Sequence, residues 1–585
     1  MKVLYIVNPN NEKEFRIRSG DLIMQYISKF SVTEKTIFAI LVCIAVLTSM
    51  IMALKVSDMF KIDVPAYGGE INEGLIGLPH MINPVLAITD ADRDITSLVY
   101  SGLMKYDGDS LVPDIAQDYK VSDDGLRYAF KIRPNVYFHD GSKLTTEDIA
   151  FTIQKIQNPI LKSPKRADWN NVTIEIISPE EIVFVLRQPY APFITNTTVG
   201  ILPKHIWNNI NDDQFVFSDY NIEPVGSGPY QFKNLTKDKG GIPTTLSLAS
   251  SNKYYAKRPY IETINFSFFA DEDTAIAQLK SGTISSLSSI SPDNAKQLED
   301  AGYNPLNVPL PRIFGVFFNQ NSNPVLAIKE VRQALDFAVD RKQIIDKGLM
   351  GYGLAITGPL PLSDLKQIEN IPRSNPDLAK SLLEKNGWTM NKETNIYEKK
   401  GAKNTLQVLT FDLYTADTPD LKNTAQLLKE AWEVIGAKVN IKIYDASELY
   451  QNVIRPRKYD ALLFGQQIGK DKDLYAYWHS SQRNAPGLNV AMYANSHVDD
   501  LLEKIRTDSD DKDSRDKYKE LEKIIKNDTP AIFLYSPEFT YILPKEITNN
   551  FQNKKIINNI TNPSDRWNSI NDWYIKSEKV WKILK

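Results

Sequence analysis

The stretch LVPDIAQDYKVSDDGLRYAFKIRPNVYFHDGSKLTTEDIAFTI, Leu111–Ile153, begins as extended chain and ends as helix. Within it, Tyr128–Ile132 alternates with the period of two of a half-buried strand. Asp140-Gly141 is a hairpin-type turn, and Thr145 or Thr146 followed by Glu147 opens a helix predicted over Thr146–Ile156. The same succession continues along the chain. Strands are predicted at Thr173–Ile177, Ile182–Leu186, Thr263–Phe269, Ile313–Phe318, Leu406–Asp412 and Lys438–Ile443. Helices are predicted at Thr274–Ser281, Ile328–Asp340, Asp377–Asn386, Leu421–Ile435 and Val498–Arg506. Asn375-Pro376-Asp377 starts one of these helices and Asn386-Gly387 stops it. The class is mixed α/β.

A chain of 585 residues exceeds one compact core, so two or more lobes are expected. The formal net charge of −3, from 69 basic and 72 acidic residues, gives no overall electrostatic reason to expect nucleic acid. Cys43 is the sole cysteine, which excludes an intrachain disulfide and a cysteine-based zinc site. His80, His139, His205, His479 and His497 fall at none of the short spacings of a metal-binding helix. No nucleophile elbow, P-loop or zincin motif is present, and no catalytic residue, metal or cofactor is expected.

Thr36–Leu54, TIFAILVCIAVLTSMIMAL, has no charge, proline or glycine. A helix of this length spans about 28 Å, against about 30 Å for a hydrocarbon core. Lys35 and Lys55 bracket it, and Lys2, Lys13, Arg16, Arg18 and Lys29 precede it, which favours an N-terminus inside. Residues 1–35 are therefore expected in the cytoplasm, 36–54 across the cytoplasmic membrane as a single pass, and 55–68 as a tether to an outside domain. Three readings compete: a cleaved signal peptide, whose apolar run is usually shorter; a lipoprotein, for which Cys43 sits wrongly in mid-run; and a buried core helix.

Further patterns occur in a fixed order between about residue 69 and about residue 545. They are Leu98–Asp107 (LVYSGLMKYD) with the opening stretch, Pro224–Tyr230 (PVGSGPY), and Val331–Leu335 (VRQAL) with Asp340-Arg341 and Gly358–Pro361 (GPLP). Next come Asp377–Lys380 through Leu383 to Gly387-Trp388, then Trp478–Ser481, Gly487–Asn489, Tyr493, Val498–Leu502 and Thr529–Ile532. Together they resemble the family 5 extracellular solute-binding proteins, the oligopeptide- and dipeptide-binding group. The resemblance implies a two-lobed periplasmic-binding-protein type II-like α/β fold with an extra subdomain, to which the apolar segment adds one N-terminal transmembrane helix. Lobe 1 would be 69–313, with a subdomain at about 100–220, lobe 2 would be 314–536, and 537–585 would return to lobe 1. It implies a monomer that captures a peptide or similar small solute and delivers it to an ABC-type permease.

In its own right, the Gly226/Gly228 pair before Pro229 predicts a tight strand-entry turn. Val331, Leu335 and Val339 share one helical face, and Arg332 and Arg341 are read as structural. The resemblance implies an amine-binding acid in the loop after Ala461–Gly465. That position falls near Ile468, and Asp471 and Asp473 follow it. The candidate ligand-binding residues are Asn83 and Asp90 in the loop Ile82–Asp92, then Asp471, Trp478, Asn489 and Tyr493. Trp478 suits the core of lobe 2 equally well. Trp567, Trp573 and Trp581 are expected on a terminal amphipathic helix. Two other functions stay open: a ligand sensor or adaptor on the same fold, and a peptidase using Asp471, Asp473 or His479.

Overall fold

One mixed sheet of twelve strands carries the alternation read from the sequence. Along its path lie Lys438–Tyr444, Thr410–Ala416, Ala461–Gln467, Arg312–Phe318, Ala531–Ile542, Ser286–Ser288, Glu70–Ile76, Thr263–Phe269, Pro243–Ser250 and Tyr230–Lys237. Leu306–Pro309 and Gly353–Ala355 are additional partners of Ala531–Ile542. The computed structural model describes residues 26–108, 110–360, 371–401, 405–469, 472–507, 511–550, 557 and 560–582.

Each half of the sheet has its own core. Ile71, Leu98, Tyr230, Phe266, Trp567 and Trp573 are buried together on one side, and Val316, Leu335, Leu413, Trp432 and Ile532 on the other. The predicted helices at Lys329–Ala338, Pro376–Lys385 and Pro419–Val434 flank the second core, and Glu272–Ser281 buries Ala275, Ile276 and Leu279 in a small cluster of its own. Arg332 and Arg341 are buried and bind main-chain carbonyls, including those of Thr529 and Phe533. One predicted strand divides: Leu406–Val408 joins a small three-stranded sheet, and Thr410–Ala416 the large one. Buried Leu409 makes the change, its N–H bonding to Tyr397 and its carbonyl accepting from Lys438.

The two halves meet at Ala531–Ile542. Its first part pairs with Arg312–Phe318 and its last with Ser286–Ser288 and Leu306–Pro309. Where the outgoing chain passes alongside, the Ser536 hydroxyl lies 2.5 Å from the Leu310 carbonyl and 2.9 Å from that of Arg312. A separate antiparallel sheet of Ala116–Val121, Arg127–Ile132, Glu181–Val185 and Thr173–Ser178 is backed by the helix Thr146–Gln157. The Thr145 and Asp148 capping box opens that helix, and Ile149, Ile153 and Ile156 are buried on it.

Residues up to Ala66, with those from Ser577 onward, form a unit of their own. Its helix runs Val32–Met59, and the apolar span Val32–Met52 is long enough to cross a membrane, with none of it buried. The expected tether over 55–68 is replaced by the end of this helix and a strand, Lys61–Ala66, which pairs with Lys576–Trp581. Ile62 and Val64 alternate with polar neighbours in the first of these strands, whereas KSEKVW shows no alternation and is mostly exposed. Trp581 therefore lies on a strand, not on the expected terminal helix, with the Lys61 ammonium 5.6 Å from its ring. Trp567 and Trp573 are buried at a short 3₁₀ helix, Pro563–Asp572.

Candidate functional site

The helix Asp90–Val99 sets the first wall. Thr89 and Asp92 form its capping box, and the Asp92 carboxylate also accepts the His80 and Met81 N–H groups at 2.7 and 2.8 Å. Past its far end, Gly226 and Gly228 press against the helix backbone. A Cβ on Gly226 would lie 2.1 Å from the Val99 carbonyl oxygen, and one on Gly228 2.5 Å from that of Leu98. His139 ties the turn: its Nδ1 accepts the Gly226 N–H at 3.2 Å and its Nε2 lies 3.0 Å from the Gly228 carbonyl. Burial pulls this imidazole down to about 4, so it is neutral with the proton on Nε2.

Beside this helix lies a cavity of about 380 Å³, lined by Arg93, Thr96, Tyr100, Lys165, Asn562 and Trp567, among others. The Thr96 and Tyr100 hydroxyls and the Trp567 indole N–H are buried without a hydrogen-bond partner. Such groups call for a water or a solute. The wall bearing Trp567 is pinned by Arg566, whose guanidinium bonds both Asp94 oxygens at 2.7 Å and Glu73 at 2.9 Å. Tyr541 donates to the same Glu73 at 2.8 Å, and Ser286 also bonds it. All three charged groups are fully buried, and desolvation pushes Asp94 up to about 6 despite the guanidinium.

The second wall is the end of the strand ALLFGQQ, Ala461–Gln467. Phe464, Gln466, Gln467, Tyr477 and Leu488 help to line a cavity there of about 170 Å³. The Gln466 amide is buried, and neither its nitrogen nor its oxygen has a hydrogen-bond partner. Gln467 reaches across to Asn562 on the first wall at 2.7 Å. A second bridge forms where Arg506 binds Asp473 at 2.7 Å and the Tyr190 hydroxyl reaches the same carboxylate at 3.3 Å. The Arg506 guanidinium lies 3.9 Å from the Tyr475 ring centroid and 5.2 Å from that of Tyr190, and its carbonyl accepts the Ala191 N–H.

Of the candidate residues, Asp90 is exposed at the helix start, 3.4 Å from Arg93, with Arg312 of the other wall in its field. Asn83 is buried and occupied: its amide donates to Asn221 and accepts from the Val85 N–H. Trp478 is buried against Phe317, Tyr493 and Phe533. Asn489 donates to the His479 and Tyr493 carbonyls, and the Tyr493 hydroxyl binds Asp528 at 2.6 Å. These four side chains face the interior, where Val85, Phe533 and Asp528 already satisfy or enclose them. Asp471 lies outside the described residues. Ile468 is a core residue. Thr96, Tyr100, Lys165, Gln466 and Trp567 carry no sequence pattern that marks them as ligand contacts. The one local signal is a glutamine pair closing an apolar strand.

Two walls with partly unsatisfied polar linings, on lobes sharing a strand, define a solute-binding protein of the two-lobed type II periplasmic class. The chain belongs to the bacterial extracellular solute-binding proteins, family 5, whose middle-region profile matches residues 110–486. This is a family of binding proteins, not enzymes, serving solute uptake by ABC transporters. The oligopeptide-binding protein AppA of Bacillus subtilis is 29% identical over 496 residues, 83% of this chain and 89% of that one. The AppA structure with a nonapeptide superimposes with a TM-score of 0.66 at 27% identity, covering 88% of this chain and all of that one. NikZ from Campylobacter jejuni in complex with Ni(L-His) gives a TM-score of 0.66 at 26% identity, covering 86% and 99%.

Proposed function

We propose that this chain is a membrane-anchored extracytoplasmic receptor that holds a peptide or similar small solute between its lobes and hands it to an ABC-type permease. The lobes divide near residues 313 and 536, where Ser536 sits between the two crossings. The observation that carries the reading is the Gln466 amide, buried in a cavity wall with no protein partner, one residue before the Gln467–Asn562 bridge. A solute that supplies the missing partners of Gln466 and the opposite wall would favour the closed form, because only differential affinity shifts such an equilibrium. The apolar helix Val32–Met59 serves as a single-pass anchor with the binding domain outside, and the receptor acts as a monomer.

The test is a thermal-shift screen of the full-length chain in detergent against peptide, sugar and metal-chelate libraries. Stabilisation by one class is expected, with Gln466→Ala reducing it while leaving the ligand-free melting temperature within a degree or two. No shift from any library overturns the receptor reading.

A further inference from the structure

The charges on the walls are unbalanced in one direction. The larger cavity is lined by the cations Arg93, Lys105 and Lys165 and by the carboxylates Asp114 and Asp565. Asp114 is taken by Lys105 at 3.0 Å. Asp565 accepts the Thr561 and Asn562 N–H groups at 2.7 and 3.2 Å. Lys165 is part-buried, in the field of Asp168, Asp565 and Arg93, and among the described residues no carboxylate lies within ion-pairing distance of its ammonium. Part-buried Arg312, facing Asp90 and Arg93, likewise has no ion pair among the described residues. Burying a cation that no carboxylate pairs directly is unfavourable, and burial lowers the pKa of both groups, with Asp168 opposing it at Lys165 and Asp90 at Arg312.

In the described part of the loop after Gln467, no carboxylate makes the same offer to a cation. Ile468, where the family resemblance implies an acid, is wholly buried in apolar surroundings. Asp473 in the same loop is bound by Arg506 through two nitrogens. The cavity that holds Lys165 also presents the unpartnered Tyr100 hydroxyl and Trp567 N–H, both on side chains more than nine-tenths buried. An indole N–H can only donate, so it too suits an acceptor on the ligand.

Resting on the receptor reading above, we propose that the solute is recognised through an anionic group, a carboxylate, seated against Lys165 with Tyr100 and Trp567 as hydrogen-bond donors, and that it needs no free α-amine. A charge-assisted hydrogen bond of this kind contributes about ten- to a hundred-fold in affinity.

The test uses calorimetry on the full-length chain in detergent. The probes are tri- and nonapeptides, each free, N-acetylated or C-amidated, together with nickel–L-histidine and an uncharged disaccharide. Acetylated peptides are expected to bind as the free ones do, and amidated ones about ten- to a hundred-fold more weakly. Lys165→Gln should erase that difference, and Lys165→Arg should restore it, with thermal melts reporting that both variants are folded. Loss on acetylation but not on amidation, or tight binding of the disaccharide alone, overturns the anionic-group proposal and leaves the receptor reading standing. Binding of no probe in any form overturns the receptor reading and this proposal with it.

Discussion

Arg566→Met isolates the buried charge cluster that holds the first wall together. In the native protein one guanidinium serves two carboxylates, Asp94 at 2.7 Å and Glu73 at 2.9 Å, with no side-chain exposure above 1%. Methionine keeps much of the volume and removes the cation, leaving two uncompensated acids. Removing one member of a buried pair costs about 3–5 kcal/mol, in line with about 4 kcal/mol for unit charges 4 Å apart at an effective dielectric constant of about 20. The pH dependence gives the sharper check. The Asp94 carboxyl is already raised to about 6, so folding favours its protonated form. Its contribution to stability is complete below the unfolded value near 4 and is lost as pH rises through about 6. Without Arg566 the carboxyl rises further, with Glu73 and Asp90 still repelling it and Tyr541 beside Glu73. The deficit of the variant should therefore be about 1–2 kcal/mol smaller at pH 5 than at pH 8, because each tenfold gain in proton affinity is worth about 1.4 kcal/mol. Urea unfolding of the full chain at both pH values, followed by tryptophan fluorescence, measures it. A loss under about 1 kcal/mol, or an equal loss at both pH values, would refute the assignment of a desolvated, charge-dependent cluster.

Four further outcomes are expected. Arg506→Ala removes the link among Asp473, Tyr475 and Tyr190 and should weaken solute binding about fivefold, with a larger ligand-free radius of gyration by X-ray scattering. Trp478→Ala should cost about 3–5 kcal/mol in denaturant while the remaining folded protein binds with unchanged affinity, because the indole is fully buried in the second lobe. Gly228→Ala should cost about 1–3 kcal/mol in the same assay, since its Cβ would meet the Leu98 carbonyl at 2.5 Å. Protein extracted from carbonate-washed membranes should retain residues 26–35 by mass spectrometry; a chain beginning beyond Leu54 would identify the helix as a cleaved signal.

Secondary structure was legible where one local force dominated. Alternation placed Thr263–Phe269, and the cap Asn375 with Pro376 placed the helix Pro376–Lys385. Leu406–Asp412 reads as one strand because alternation is blind to a change of partner at Leu409. Trp581 misleads because an aromatic spaced from Trp567 and Trp573 fits a helix face as readily as separate elements. The binding walls were hidden for another reason. Tyr100, Lys165 and Trp567 line one cavity from three distant segments, and Arg566 meets Asp94 across 472 residues. Trp478, Asn489 and Tyr493 stand out through their chemistry, but the Trp478 ring and the polar groups of Asn489 and Tyr493 are engaged within the lobe.

The strand Ala531–Ile542, shared by both halves of the sheet, also dictates the order in which the protein can mature. Glu70–Ile76, Ser286–Ser288 and Leu306–Pro309 emerge from the ribosome hundreds of residues before the strand that pairs with the latter two. Until it arrives, the first lobe has an unfilled sheet edge, and Glu73 lacks the Tyr541 hydroxyl. Pairing over such sequence distance is slow and leaves apolar edges exposed. The first lobe thus stays unlocked until nearly the whole chain has been made.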